Sequence, residues 1–128
     1  MVYSGFFVCC GFVLSFIPMT PLERPFNKIV DSVVRTVHPK QIVLFGSWAR
    51  GVARPDSDID LLIIEDAPFG PQRSRRKELG NVSRALMDLK LPIDVLIYTT
   101  AEIDQWKGTK NHVIAHAMRE GRVLYDRP

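Results

Sequence analysis

The fold is organised around residues 41–65, which read QIVLFGSWARGVARPDSDIDLLIIE. Residues 41–45 form a run rich in β-branched and aromatic side chains that Gly46 ends, a pattern typical of a β-strand. Residues 58–64 form a second apolar run, interrupted only near its start by Asp60. The stretch therefore predicts a strand, a tight Gly-Ser turn, a short helix or loop, and a second strand that opens with two aspartates.

Two aspartates and a glycine-serine turn are expected to meet at one end of these strands. Side chains at positions i and i+2 of a strand point to the same face, so Asp58 and Asp60 are predicted neighbours despite their like charges. A divalent cation is the usual reason to hold such a pair together, because carboxylate oxygens suit Mg²⁺. Gly46 permits close backbone approach, and N–H groups after such a turn suit a phosphate. The pattern therefore indicates metal-assisted phosphoryl or nucleotidyl transfer.

Apolar periodicity predicts the elements around this unit. A first helix begins at Leu22 or Pro25 and ends before His38-Pro39, because the residue before a proline disfavours helical backbone. Further helices are predicted over residues 72–89, 100–106 and 112–120, and further strands over residues 91–98 and 122–125, the last at a sheet edge. This order of elements predicts an α/β (or α+β) domain.

Three groups of polar residues lie outside the central stretch. Asp94 is the one charged residue in an otherwise apolar predicted strand. Burying an unpaired carboxylate there would cost free energy. Asp94 is therefore either a site residue or a cap on a loop. The basic cluster, defined as Arg73, Arg75, Arg76 and Lys77, is either a solvated helix face or a contact for triphosphate, RNA or an acidic protein surface. His112 and His116 have a helical i, i+4 spacing, but no third ligand completes a zinc site.

The spacing of Gly46-Ser47 and Asp58-x-Asp60 resembles the signature of the DNA polymerase β-like nucleotidyltransferases. The fuller strings GSWARG at residues 46–51 and SDIDL at residues 57–61 resemble the minimal nucleotidyltransferase (MNT) subfamily, small proteins often encoded beside a HEPN-domain toxin. The resemblance covers residues 22–125. It implies an enzyme with the polymerase β-like nucleotidyltransferase fold, a small mixed β-sheet with helices packed on one face.

The resemblance also implies a role for each candidate carboxylate. Asp58, Asp60 and Asp94 would be catalytic and would hold two Mg²⁺ ions, with ATP as the substrate. Two such ions stabilise the entering and leaving oxygens of an in-line displacement at the α-phosphorus, which releases pyrophosphate. Asp94 would in addition orient or deprotonate the attacking hydroxyl group.

Nucleotide binding is implied for Gly46, Ser47 and Arg50, and the acceptor is expected outside the chain. Gly46 and Ser47 would bind the β- and γ-phosphates, and Arg50 would add positive charge there. Similar MNT proteins are antitoxins that adenylylate a tyrosine of a HEPN ribonuclease toxin, which makes such a toxin the expected partner. The alternatives are transfer to a small molecule, such as an aminoglycoside-type antibiotic, or to an RNA end. A further alternative is a non-catalytic antitoxin that acts by occlusion.

Composition limits the possible number of domains, the binding partner and the cellular location. The 128 residues suffice for one domain with a core, and the net charge of +3 fits an anionic nucleotide without arguing for DNA binding. The two cysteines, Cys9 and Cys10, are adjacent and make a poor disulfide framework, so a cytoplasmic location is expected.

The first 19 residues contain no charged side chain and are near the lower length limit for a membrane span. They lack the clear basic start and cleavage site of a secretory signal peptide. Three interpretations stay open: a translated upstream extension with Met19 as the functional start, a weak membrane anchor, or an added structural element. The nucleotidyltransferase domain itself is expected to span residues 20–128.

Overall fold

The structure is a computed structural model that describes residues 24–128. The expectations for residues 1–19, and for Leu22 as the start of the first helix, lie outside this range. No helix within the described part of the chain is long and apolar enough to cross a membrane.

Residues 24–128 form helices and strands in nearly the predicted order. The helices are α1 (Arg24–Val37), α2 (Ser47–Arg50), α3 (Arg75–Met87), α4 (Thr100–Trp106) and α5 (Val113–Glu120). The strands are β1 (Gln41–Phe45), β2 (Ile59–Glu65), β3 (Ile93–Thr99) and β4 (Arg122–Asp126).

Local capping explains where several elements begin. The helix predicted from residue 72 begins at Arg75, because the Ser74 side chain accepts a hydrogen bond from the backbone N–H of Lys77. Thr99 caps α4 with a reciprocal pair of hydrogen bonds to Glu102, the arrangement known as a capping box. These polar side chains replace the hydrogen-bond partners that the first turn of a helix lacks.

The four strands form one mixed sheet in the order β3-β2-β1-β4. The pairs β1–β2 and β1–β4 are antiparallel, whereas β2 and β3 are parallel. A parallel pair needs a crossover connection, which α3 supplies. The strand β4 lies at a sheet edge, as predicted, and β3 forms the other edge.

Helices cover both faces of the sheet, so the implied packing on one face is wrong. On the first face, α1 and α3 contribute Ile29, Val33, Val82 and Leu86 to a core with alternate side chains of β1 and β2. On the second face, Ile103 of α4 and Ile114 and Ala117 of α5 pack against the other set of alternate side chains. Both strands are therefore buried on each side, which explains why β2 is a nearly continuous apolar run.

The strand pairing brings four strand ends to one edge of the sheet. Phe45, at the end of β1, pairs with Asp60 near the start of β2. Asp60 in turn pairs with Asp94 near the start of β3. Leu44 pairs with Arg122, which begins β4. This end of the sheet, where β1 finishes and β2, β3 and β4 begin, is called the site edge below. Asp94, Asp60, the turn after β1 and the end of α5 lie there.

Candidate active site

Gly46 forms the turn between β1 and α2 and lies against Asp60. Its φ is +76°, a backbone conformation that side chains other than glycine rarely adopt. A Cβ atom at this position would overlap the Oδ2 atom of Asp60. Two features therefore require glycine at position 46: the backbone conformation and the lack of space beside the Asp60 carboxylate.

The three predicted carboxylates meet at the site edge. Asp60 and Asp94 are register partners on adjacent parallel strands, and their side chains point to the face that carries α4 and α5. Asp58 directly precedes β2 and is exposed. Asp94 is also exposed rather than enclosed among apolar side chains, because β3 is an edge strand. The desolvation cost expected at Asp94 from the sequence therefore does not apply.

The charges at this edge act on one another through Asp60, which is half-buried. Burial raises the pKa of Asp60, and the nearby charges of Asp94 and Asp58 raise it further. The guanidinium group of Arg50 acts in the opposite direction and lowers that pKa. The charges of Asp58, Asp94 and Arg50 therefore all act on Asp60, so the four side chains lie close to one another.

The donor atoms at the site edge fit a hard divalent cation such as Mg²⁺. Carboxylate oxygens are the ligands that Mg²⁺ prefers, and mutual repulsion among carboxylates is relieved when a cation binds. No group of three or more His, Cys, Asp or Glu side chains in residues 24–128 already has the spacing of a formed metal site. Asp58 and Asp94 are exposed, so their side chains are free to turn toward a cation beside Asp60.

Trp48 holds the segment that leads to Asp58. Its indole Nε1 donates a hydrogen bond of 3.0 Å to the backbone carbonyl oxygen of Ser57. Its ring packs edge-on against Phe26 of α1, with the ring centroids 5.8 Å apart. Trp48 is therefore a packing residue that positions the loop beside the site. Ser47, the residue before it, begins α2 and follows Gly46 directly.

A cavity of about 420 Å³ opens beside Gly46, between the end of β1 and α5. The residues that line it are Phe45, Gly46, Arg50, Asn111, Val113, His116 and Glu120. Arg50 and Glu120 form an exposed ion pair across it, with 3.4 Å between Nη1 and Oε1. Sequence reasoning missed the contribution of α5, because no local pattern shows that its last turn ends beside Gly46.

The basic cluster divides into an internal half and an exposed half. Arg73 forms ion pairs with the buried Glu65 and with Glu78, whose Oε2 lies 2.6 Å from Nε of the arginine. Arg75 forms an ion pair of 2.5 Å with Glu102 of α4. These two arginines therefore hold elements of the domain together, while the other two members of the cluster are exposed on α3.

The two helical histidines have separate roles in the fold. His112 caps α5 by accepting a hydrogen bond of 3.1 Å at Nδ1 from the backbone N–H of Ile114. Its ring also stacks on Trp106 at a centroid distance of 4.6 Å. His116 instead contacts Arg119, with 3.2 Å between Nδ1 and Nη2. Nδ1 of His112 is therefore occupied by a capping contact, and the two histidines have different hydrogen-bond partners.

Known proteins share this fold and this sequence pattern. The family model described as nucleotidyltransferase domain matches residues 23–123. A Methanocaldococcus jannaschii protein assigned as a protein adenylyltransferase is 35% identical over 88 residues, which cover 67% of this chain and 78% of that protein. The chain therefore belongs to the nucleotidyltransferase domain family, and the predictions of that family and of a transferase enzyme are confirmed.

Solved structures confirm the predicted fold. A Sulfolobus solfataricus protein assigned as a nucleotidyltransferase aligns with a TM-score of 0.53 and 19% identity, covering 88% of this chain and 93% of that one. A chain from the complex of tri-AMPylated Shewanella oneidensis HEPN toxin with MNT antitoxin aligns with a TM-score of 0.51 and 16% identity. That alignment covers 83% of this chain and 73% of the other. At these identities the likeness establishes the fold.

Proposed function

We propose that this nucleotidyltransferase transfers AMP from ATP, with Mg²⁺, to a hydroxyl group of a partner protein. The observation that carries the proposal is the meeting of Asp60 and Asp94 as register partners, with Gly46 packed against the Asp60 carboxylate. A phosphate-binding turn and a set of carboxylates on adjacent strand ends are the parts that metal-assisted nucleotidyl transfer requires. All of them lie on one edge of one small sheet.

Each carboxylate has a distinct position from which to act. Asp58, Asp60 and Asp94 would hold Mg²⁺, which supplies charge stabilisation for the entering and leaving oxygens of the displacement at the α-phosphorus. Asp94, exposed on an edge strand, is accessible to an incoming acceptor, and it would orient or deprotonate the attacking hydroxyl. The bond from the α-phosphorus to the acceptor oxygen forms as the bond to the β-phosphate oxygen breaks.

The nucleotide phosphates would bind on the opposite side of Asp60 from Asp94. Gly46 and Ser47 provide backbone N–H groups at the start of α2, and Arg50 at its end provides a guanidinium group. Arg50 already lowers the pKa of Asp60 through its charge, so it stands close enough to neutralise phosphate oxygens bound at the same edge. The leaving pyrophosphate would therefore depart toward α2.

A protein acceptor is supported by one relative and by one structural neighbour. The relative from Methanocaldococcus jannaschii is assigned as a protein adenylyltransferase. The neighbouring structure from Shewanella oneidensis contains a tri-AMPylated HEPN toxin bound to an MNT antitoxin. By analogy, we propose a HEPN-domain protein as the partner, with a tyrosine hydroxyl as the acceptor and antitoxin action as the result. An exposed Asp94 suits an acceptor that a separate protein delivers.

The test combines the purified protein with a HEPN-domain protein encoded beside its gene, ATP and MgCl₂. We expect the partner to gain the mass of one or more AMP groups by intact mass spectrometry, and a chelator to prevent the gain. Asp58→Ala and Asp94→Ala should each reduce the initial rate by more than about 100-fold. Asp56→Ala removes an exposed loop aspartate two residues before Asp58 and should retain the wild-type rate.

Three outcomes would contradict parts of this proposal. Full activity of Asp58→Ala or Asp94→Ala would reject the assignment of these carboxylates. An unchanged partner mass together with a tight complex would instead establish an antitoxin that acts by occlusion. If a HEPN-domain protein is neither modified nor bound, while RNA or an aminoglycoside gains AMP under the same conditions, the acceptor is the part that is wrong.

A further inference from the structure

The cavity beside Gly46 lies at a defined position relative to the carboxylates. Along the site edge, the strand order places Asp94 first, then Asp60, then the Gly46 turn, and finally the end of α5. In an in-line displacement the attacking and leaving groups stand on opposite sides of the reacting phosphorus. If Asp94 receives the acceptor, as the proposed function requires, the leaving phosphates point past Gly46 into the cavity.

One of the residues that line the cavity, Glu120, carries a negative charge. The carboxylate of Glu120 lies near two basic side chains, with Oε1 3.4 Å from Nη1 of Arg50 and Oε2 3.9 Å from Nδ1 of His116. Both Arg50 and Glu120 are exposed, with half and two fifths of their side chains accessible. An exposed pair of this kind contributes little to stability, so another anion can displace it at small cost.

The imidazole of His116 has a defined hydrogen-bonding arrangement. Nη2 of Arg119 lies 3.2 Å from Nδ1 of His116, and an arginine can only donate a hydrogen bond. Nδ1 is therefore the acceptor in the neutral ring, and the ring proton lies on Nε2. His116 lines the cavity, and its neutral ring carries one N–H donor, at Nε2.

We propose that Glu120 is a displaceable counter-ion for the nucleotide phosphates, an inference that rests on the proposed function. In the nucleotide-free protein, Glu120 holds the guanidinium group of Arg50 at the mouth of the cavity. When ATP binds, the β- and γ-phosphates replace Glu120 as the ion-pair partner of Arg50. His116 donates a hydrogen bond to the terminal phosphate. A polyphosphate is a stronger competitor than one carboxylate, because it carries more charge and more acceptor oxygens.

This exchange has a consequence for ligand selection. AMP lacks the β- and γ-phosphates and therefore does not reach Arg50 through the cavity. Glu120 then weakens ATP binding by competing for Arg50, but it leaves AMP binding unaffected. The residue sets the affinity for the phosphate tail and takes no part in the chemical step.

The inference is tested by calorimetric affinities for AMP, ADP and an ATP analogue with a methylene bridge between the α- and β-phosphorus atoms, each with MgCl₂. Glu120→Gln, which keeps the size of the side chain, should bind the analogue about two- to five-fold more tightly than wild type and bind AMP equally. His116→Ala should bind the analogue about three-fold more weakly. Raising the salt concentration should reduce both differences, because both are electrostatic.

Asp104→Asn is the matched control, because it removes one exposed carboxylate of α4 that is paired with Lys107 at 3.1 Å and does not line the cavity. It should leave all affinities unchanged. Equal analogue affinity of wild type and Glu120→Gln would overturn the inference while leaving the proposed function intact. The same holds if Glu120→Gln alters AMP and analogue affinity equally. A wild-type protein that binds none of the three nucleotides would overturn both proposals.

Discussion

Gly46 and Asp60 are packed so closely that the glycine Cα borders the carboxylate with no room for a Cβ atom. The positive φ of Gly46 adds a second requirement for glycine at this position. The turn that would bind phosphate and the residue that would hold the metal ion are therefore coupled by direct contact. A side chain added at position 46 must therefore displace the Asp60 carboxylate.

The first prediction follows from this contact. Gly46→Ala should lower the free energy of unfolding by about 1–3 kcal/mol, because its φ of +76° with a ψ of −154° suits only glycine. It should also push the Asp60 carboxylate out of place, and so reduce nucleotidyl transfer by about 10- to 100-fold. Denaturant unfolding and initial rates measure the two effects.

Gly51→Ala is the control, because Gly51 also has a positive φ, +75°, in the left-handed helical region, but has open space where a Cβ atom would stand. It should lose about 1 kcal/mol of stability and retain transfer activity. If Gly46→Ala and Gly51→Ala lose activity to the same extent, backbone strain rather than the contact with Asp60 is the cause.

The second prediction concerns repulsion within the carboxylate group. The pKa of Asp60 in the folded protein is raised by burial and by Asp94 and Asp58, so its contribution to stability is present at low pH and lost as pH rises through that pKa. Asp94→Asn should therefore raise the melting temperature at pH 7 in a chelator by about 3 °C, and by less at pH 4. Thermal melts followed by circular dichroism provide the measurement.

The same variant should respond less to metal. Added MgCl₂ should stabilise the wild-type protein, since a ligand that binds only the folded state shifts the unfolding equilibrium. Asp94→Asn should show a smaller shift, whereas Asp104→Asn should behave as wild type. A wild-type melting temperature that MgCl₂ leaves unchanged would count against a metal site at this edge.

The third prediction concerns Glu65, which is buried at the end of β2 that lies away from the site edge. Its side chain pairs with Arg73, while its Oε2 atom is buried without a hydrogen-bond partner. Burial and the neighbouring carboxyl group of Glu78 raise the pKa of Glu65 from 4.5 to about 7. Glu65 therefore stabilises the fold below pH 4.5, and that stability is lost as pH rises toward 7.

Glu65→Gln imitates the protonated side chain and should abolish this pH dependence. The free energy of unfolding of the variant minus that of wild type should increase by about 3 kcal/mol between pH 4.5 and pH 8. Urea titrations across this range measure the difference. A difference that stays constant or falls with pH would show that Glu65 is ionised throughout.

The fourth prediction concerns the join between α5 and β4. A Cβ atom on Gly121 would overlap the carbonyl oxygen of Ala117 and the side chain of Val43, although the backbone conformation itself suits any residue. Gly121→Ala should therefore destabilise the protein by about 1–3 kcal/mol. Gly108→Ala, at a position with no atom within 4 Å of a Cβ, should be nearly neutral. Equal stability of the two variants would contradict the packing at Gly121.

Local sequence patterns predicted the elements well because they encode periodicity and capping. The bounds of β1 agree with the prediction, since Gly46 ends an apolar run with a conformation that a strand cannot continue. The alternation of side chains predicts Asp58 and Asp60 on one face, but β2 begins at Ile59, so Asp58 precedes the strand that was predicted to open with it. The burial of Asp94 was predicted wrongly, because exposure depends on whether a strand lies in the centre or at the edge of the sheet.

The basic cluster shows a second limit of local patterns. Arg73 and Arg75 are close in sequence to the exposed members of the cluster, yet each forms ion pairs with a different part of the fold. The partner of Arg75, Glu102, is 27 residues away and belongs to another helix. Neither pairing has a signal in the residues around the arginines.

The sequence alone determined the family, the turn at Gly46 and the spacing of the aspartate pair, because these depend on residue identity and short spacing. Tertiary structure decided which strand lies beside β2, and so brought Asp94 into register with Asp60. It also brought Glu120 to Arg50 across 70 residues. Contacts of this kind depend on sheet order and on which face each helix covers, and the burial of apolar surface over the whole domain sets both.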